Sequence, residues 1–319
     1  MFAAVVTSFD SAPRYQEIAT PEAQAPTEIV VDVLAAGLHP RVRSQADGSH
    51  YTSTDELPLV PGIDGVGRGP DGLLRYFVLP DTVRGSMAEQ TVIDTRRSIV
   101  LPAGSDPVAV AAVMNPAMSS WIALRQRIDF APGSNVLVLG ATGSAGRLAV
   151  QIAKRFGAAS IVAAARNADL LAELAAAGGA QTVSLAGEPA DVATRLGAAA
   201  AEVDVVLDYL WGEPTAAAMA AVVTHRTDES RPLTWIEIGS VAGAAASIPS
   251  AALRASRLSI VGSGQGSVSG REILGELPAL VQAIDEGAFE VETRAVPLRD
   301  VGAVWLDTSN TRERVVLVP

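Results

Sequence analysis

The seven residues Gly140-Ala141-Thr142-Gly143-Ser144-Ala145-Gly146 have the types and spacing to hold a pyrophosphate. A glycine at the first position allows a tight turn. One at the fourth lets the backbone approach the phosphates, and one at the seventh lets a helix close on the preceding strand. The helix that opens there offers unpaired N–H groups and the positive end of its dipole. Twenty residues beyond Gly146 stands Arg166. A site for NAD places Asp or Glu near this offset, to accept from the ribose 2′-hydroxyl. A guanidinium there suits a 2′-phosphate instead, through charge-assisted hydrogen bonds. Together the two features point to NADPH rather than NADH. Asp169, three residues on, reads as the cap or first-turn acid of the next helix.

Such a loop needs a rigid frame, and the centre of the chain supplies one. VLVLG (136–140) is a continuous apolar run, as a strand buried on both faces requires. The helix after the loop has apolar residues at Ala149, Ile152, Ala153 and Phe156, one buried face, and stops at Gly157. Strands follow over 160–165, 181–185, 203–208, 234–239 and 258–262, with a helix over 169–177. This alternation predicts an α/β fold with a doubly wound parallel sheet. The first hundred residues differ. FAAVVT (2–7), EIVVDVLAAG (28–37), LLRYFVL (73–79) and AEQTVI (88–93) read as strands, separated by Pro, Gly and Asp, of an irregular, mostly antiparallel region. Residues 106–127 predict a helix, a break at Asn115-Pro116, and a second helix. The last fifty residues give a helix over 271–287, with Pro278 inside it, and a closing strand over 314–319. The expected organisation is a β-rich domain built from 1–110 and 268–319, with a Rossmann domain over 111–267 between them.

The chain has 319 residues, 49% hydrophobic and 18% charged, the profile of a globular protein with a large core. It contains no cysteine, which excludes disulfides, thiolate metal sites and a thiol nucleophile. Its net charge of −11 opposes nucleic acid and anionic membranes as partners. The N-terminus lacks the basic and long apolar regions of a secretory signal, and no apolar run reads as long enough to span a bilayer. A cytoplasmic location is therefore expected.

In these segments the chain resembles a medium-chain dehydrogenase/reductase of the quinone oxidoreductase type. The resemblance is carried by PLVPGIDGVGRG (58–69), GSMAEQTVI (85–93), AMSSWIALRQR (117–127) and PGSNVLVLGATGSAGRLAVQIAKRFGA (132–158). VDVVLDYLWG (203–212), WIEIGS (235–240) and REILGELPALVQAIDEGAF follow in the same order, so it covers nearly the whole chain. It implies a GroES-like substrate domain from both chain ends, a cleft at its junction with the Rossmann domain, and a homodimer paired through the Rossmann sheets. Zinc-dependent relatives carry Cys, His-Glu and Cys where this chain has His39, Ile63-Asp64 and a position near Asn115. A catalytic zinc needs about three protein donors. Ile63 supplies none and Asn115 is a poor ligand, so the resemblance implies a zinc-independent enzyme.

Hydride addition to a quinone or an α,β-unsaturated carbonyl does not need a Lewis acid, because the carbonyl spreads the developing charge. It needs orientation, a donor to the oxygen and a proton source. His39 and Tyr51 are the candidate catalytic residues. Imidazole can donate a hydrogen bond or a proton near neutral pH, and the resemblance places Tyr51 at the substrate pocket. His39 reads equally as a hydrogen-bonded wall residue and Tyr51 as a packing aromatic; His50 and His225 read as surface. By resemblance, Ser120 and Trp121 fall at the nicotinamide end of the cofactor. Gly239 and Ser240 end a strand at the cofactor edge of the sheet, and Ser263, Gly264 and Gln265 follow the last strand, as a backbone wall or a mobile turn. Arg312 and Arg314 stand where the family places a cation before its last strand. Two alternatives remain: a tailoring or enoyl reductase of a biosynthetic pathway, and an NADPH-binding redox sensor with little catalysis.

Overall fold

The computed structural model describes residues 1–307 and 312–319. In chain order the first elements are β1 (Phe2–Val5), β2 (Arg14–Glu17), β3 (Glu28–Gly37), α1 (Pro40–Ala46), β4 (Asp64–Arg68), β5 (Leu74–Val78), β6 (Gln90–Asp94), β7 (Ser98–Val100) and α2 (Pro107–Ile122). Then come β8 (Asn135–Leu139), α3 (Ser144–Arg155), β9 (Ser160–Ala165), α4 (Ala168–Ala177), β10 (Gln181–Ser184), α5 (Pro189–Ala199), β11 (Val205–Asp208) and α6 (Gly212–His225). The last are β12 (Leu233–Glu237), α7 (Ser250–Arg254), β13 (Leu258–Gly262), α8 (Gly270–Asp285), β14 (Thr293–Pro297), α9 (Val301–Leu306) and β15 (Arg314–Val318). They form two compact units, Met1–Asn115 with Gly270–Pro319, and Pro116–Ser269.

The second unit holds a six-stranded, all-parallel sheet in the order β10-β9-β8-β11-β12-β13. This is the doubly wound Rossmann order, which reverses direction between β8 and β11. Helices cover both faces, so β8 and β11 are buried along most of their length. Leu137, Leu139, Val162, Val206 and Trp235 form the centre of the core. The Ala-rich helix α6 carries little amphipathic contrast, and periodicity alone does not find it.

The first unit holds a seven-stranded sheet in which β14-β15-β3-β4-β5-β7 run in order and β6 also pairs with β3. All its pairings are antiparallel except β14 with β15. Its core is built from Ala4, Ala36, Val42, Met87, Val301 and Leu317.

Two sequence expectations are corrected here. The helix does not break at Asn115-Pro116: α2 runs through Pro116. A proline removes the N–H that would bond the carbonyl four residues earlier. That carbonyl belongs to Ala112, and Nε of Arg314 donates to it at 3.3 Å. A side chain from the far end of the chain thus replaces the missing donor. As a consequence Pro107–Arg127 is one 21-residue helix, apolar enough by length and composition to cross a bilayer, which the sequence reading excluded. Of its most apolar stretch, 67% is buried within the fold.

Candidate active site

The loop after β8 divides its labour as its glycines require. Gly140 has φ +83°, the left-handed region that a tight turn needs. A Cβ on Gly146 would lie 2.2 Å from the Gly140 carbonyl oxygen and 2.8 Å from Cα of Ala141, so only glycine lets α3 close on the strand. Gly143 is different. It is exposed, and a Cβ there would meet only the Gly140 carbonyl oxygen, at 3.4 Å. The fold leaves this face open to an incoming group. Gly143 is the N-cap of α3 and brings no side chain to it, and the first turn (Ser144, Ala145, Gly146) holds no acid. The uncapped N–H groups therefore suit an anion, and a pyrophosphate fits the cradle. Ala141 is fully buried with its N–H bonded to the Ala164 carbonyl, so it builds the turn; Thr142 is half-buried.

Arg166 follows the last residue of β9. It is exposed and makes no hydrogen bond or ion pair with the described residues. Asn167, not Asp169, caps α4: its side chain accepts from the Leu170 N–H at 3.0 Å. Asp169 is the first-turn acid. Gly239 and the exposed Ser240 follow β12. Ser263, whose N–H donates to the Glu237 carbonyl at 2.8 Å, and Gly264 follow β13. The stretch is tied down, because Arg127 donates to the carbonyls of Gly262 (2.7 Å) and Ser267 (3.1 Å). Ser267 Oγ also accepts from the Gly264 N–H, at 2.8 Å. Gly140–Gly146, Arg166, Gly239–Ser240 and Ser263–Gly264 thus all lie at the carboxyl edge of one parallel sheet, where the doubly wound fold binds ligands. Ser120 is fully buried, and its neighbour Ser119 is the half-buried helix hydroxyl on this side. Trp121 is buried, edge-on to Phe156 at 4.7 Å.

In the first unit His39, the N-cap of α1, is buried. Its Nε2 lies 3.2 Å from Oδ1 of buried Asp64, and the Tyr76 hydroxyl donates to Oδ2 at 2.7 Å. Ser86 Oγ donates to the Asp64 carbonyl at 2.5 Å. Burial pushes the His39 pKa below its ordinary 6.5; Asp64 opposes this, and the charges of Arg314 and Arg41 reinforce it. The ring is neutral at pH 7. A carboxylate only accepts, so the single ring proton sits on Nε2 and Nδ1 is a bare acceptor. Nδ1 has no partner among the described residues. The expectation that His39 donates near neutral pH is corrected: its N–H is committed to Asp64. Burial also raises Tyr76 well above 10, reinforced by Asp64. Arg314 is buried beside this cluster, and burial pushes its pKa down to about 10.

Tyr51 is 74% exposed and packs on half-buried His50, the ring centres 4.2 Å apart. His50 Nδ1 meets Thr52 Oγ1 at 2.9 Å, and that hydroxyl donates to Asp81 at 2.6 Å. Arg41 reaches the same Asp81, at 2.5 Å. His225 lies outside this group, exposed and bonded to the Ala221 carbonyl. Among the described residues no three His, Cys, Asp or Glu side chains gather as a metal-holding group.

The chain is 31% identical, over all of its own length and all of the relative's, to the probable NADPH-dependent quinone reductase tdiC of Emericella nidulans. The chain belongs to the quinone oxidoreductase type of medium-chain dehydrogenase/reductases. A structure of the quinone oxidoreductase of Thermus thermophilus, described with its NADPH complex, is 25% identical and matches all of both chains at a TM-score of 0.81. The NADPH-dependent alkenal/one oxidoreductase of Arabidopsis thaliana is 28% identical over 45% of this chain and 41% of its own. Residues 136–229 match the saccharopine dehydrogenase NADP binding domain.

In this quinone oxidoreductase relative, sequence reasoning set His39 and Asp64 together at the zinc-ligand positions but missed the hydrogen bonds that Asp64 accepts from His39 and Tyr76 and the charge of Arg314 beside them, because no short motif joins residues so far apart in the chain. Tyr209 and Ser119 were missed as well. The signal for Tyr209 was present, since a residue directly after a strand of the doubly wound sheet stands at its ligand edge.

Proposed function

We propose that the chain is an NADPH-dependent, zinc-independent oxidoreductase that reduces a small quinone or α,β-unsaturated carbonyl by hydride transfer. One observation carries this reading: the full-length likeness to a probable NADPH-dependent quinone reductase, in a chain whose pyrophosphate cradle is intact. In this reading the Pro116–Ser269 unit holds the cofactor, with Gly140–Gly146 on the pyrophosphate and Arg166 on the 2′-phosphate. Ser120, Gly239, Ser240, Ser263 and Gly264 would line its remainder. The bound cofactor supplies the hydride. Tyr51 and His39, both in the other unit, are the proposed catalytic residues. Tyr51 is largely exposed, and a phenol is a group that donates to a carbonyl. His39 Nδ1 is an acceptor, buried and without a partner among the described residues. Two further readings complete the proposal. The chain acts as a homodimer, with β13 leaving an edge of its sheet open, and it works in the cytoplasm, where a chain without cysteine loses nothing.

The test is NADPH oxidation against a panel of quinones and enones. Turnover with at least one acceptor is the expected result. Tight NADPH binding with no turnover on any acceptor would replace the enzyme with a redox sensor.

A further inference from the structure

Tyr209 stands at the switch point of the parallel sheet, and its environment fixes what it can do. It follows Asp208, the last residue of β11, whose carboxylate is wholly buried. Oδ1 of Asp208 accepts from the N–H groups of Leu210 (2.8 Å) and Trp211 (3.2 Å). Oδ2 accepts from the Thr215 hydroxyl (2.6 Å) and the Trp235 indole N–H (2.8 Å). The turn after β11 is therefore pinned from four directions, and Trp211 is held at φ +51°. That turn aims Tyr209. Its N–H donates to the carbonyl of Leu139, the residue just before the glycine loop, at 3.2 Å. A Cβ on Gly140 would meet Cβ of Tyr209 at 3.3 Å, and one on Gly239 would meet its carbonyl oxygen at 3.3 Å. Tyr209 thus sits between two of the glycine stretches that edge the cradle.

Its hydroxyl lies 3.0 Å from Ser119 Oγ. Ser119 has one hydrogen and gives it to the Pro116 carbonyl at 2.7 Å. The Tyr209 hydroxyl must therefore be the donor of the pair, which leaves the lone pairs of its own oxygen as acceptors. Burial pushes its pKa up to about 12, opposed by its hydrogen bonding with Ser119 and Ser120, so the phenol stays neutral at working pH.

We propose that Tyr209 is a positioning residue for the nicotinamide-riboside half of the cofactor, its oxygen accepting a hydrogen bond from a ribose hydroxyl or the carboxamide NH2. Ser119 orients the phenol for that contact. The proposal rests on the NADPH reading above and separates two halves of one site. The glycine loop and Arg166 hold the adenosine-pyrophosphate half, and Tyr209 with Ser119 orients the other.

Calorimetric titration of the full chain with NADPH and with 2′,5′-ADP, which lacks the nicotinamide riboside, tests it on wild type, Tyr209→Phe and Ser119→Ala. Phenylalanine keeps the ring and its packing, and an unchanged melting temperature checks the fold. The expected result is NADPH affinity lowered about five- to tenfold in Tyr209→Phe, as loss of one hydrogen bond implies. Ser119→Ala should show a smaller loss, and 2′,5′-ADP should bind all three equally. The fluorescence of bound NADPH should shift toward that of the free cofactor in Tyr209→Phe. Unchanged NADPH affinity and fluorescence in that variant overturn the role of Tyr209 alone. Equal loss of 2′,5′-ADP and NADPH binding also overturns it, since the effect would then be on the cradle as a whole. If wild type binds neither ligand, the cofactor reading falls together with it.

Discussion

At the residue scale the glycine loop separates geometry from binding. Gly146→Ala places a Cβ against backbone that cannot yield cheaply. It should destabilise the chain by about 1–3 kcal/mol and abolish NADPH binding, read by urea unfolding and titration. Gly143→Ala adds a methyl with room around it. It should leave the urea midpoint unchanged and still weaken NADPH, because the methyl occupies the phosphate approach. Arg166→Ala should weaken NADPH about tenfold or more and leave NADH unchanged, since only the former carries a 2′-phosphate. His39 gives a pH prediction. Its folded pKa lies below 6.5, so the unfolded chain binds its proton first as pH falls. Stability from the neutral, buried ring is complete above 6.5 and is lost as pH drops below it. The melting temperature should therefore fall between pH 6.5 and 5 by more in wild type than in His39→Asn, before the carboxylates titrate.

At the element scale the continuity of α2 depends on Arg314. Its Nε supplies the donor that Pro116 cannot supply to the Ala112 carbonyl. Arg314→Leu leaves that buried carbonyl unpaired and removes a cation whose charge acts on Asp64 and His39. A loss of about 1–3 kcal/mol in urea unfolding is expected. The stop at Gly157 and strands β9 and β13 were legible in the sequence, because apolar period and glycine are local signals. The passage of α2 through Pro116 was not, because its compensation comes from a residue 202 positions away.

At the scale of the whole molecule, a ligand that binds only the folded chain stabilises it by mass action. NADPH at about a hundred times its dissociation constant should add roughly 2.7 kcal/mol. This corresponds to a rise in melting temperature on the order of 5 °C, and NADH at the same concentration should add less. From residue order alone come the pyrophosphate loop, the cationic position that favours NADPH, the alternation that builds a doubly wound sheet, and a chain with no thiol for chemistry or metal. Each of these is written in residues close together, where backbone geometry and side-chain type act directly. Folding alone binds the His39 N–H to Asp64 and leaves Nδ1 without a partner among the described residues. It also decided that Arg314 serves a helix carbonyl in the first unit, and that Tyr209 meets Ser119 at the switch point. Hydrogen bonds are set by distances of about 3 Å, and partners separated by 25, 90 or 202 residues reach that distance only when the whole chain has folded.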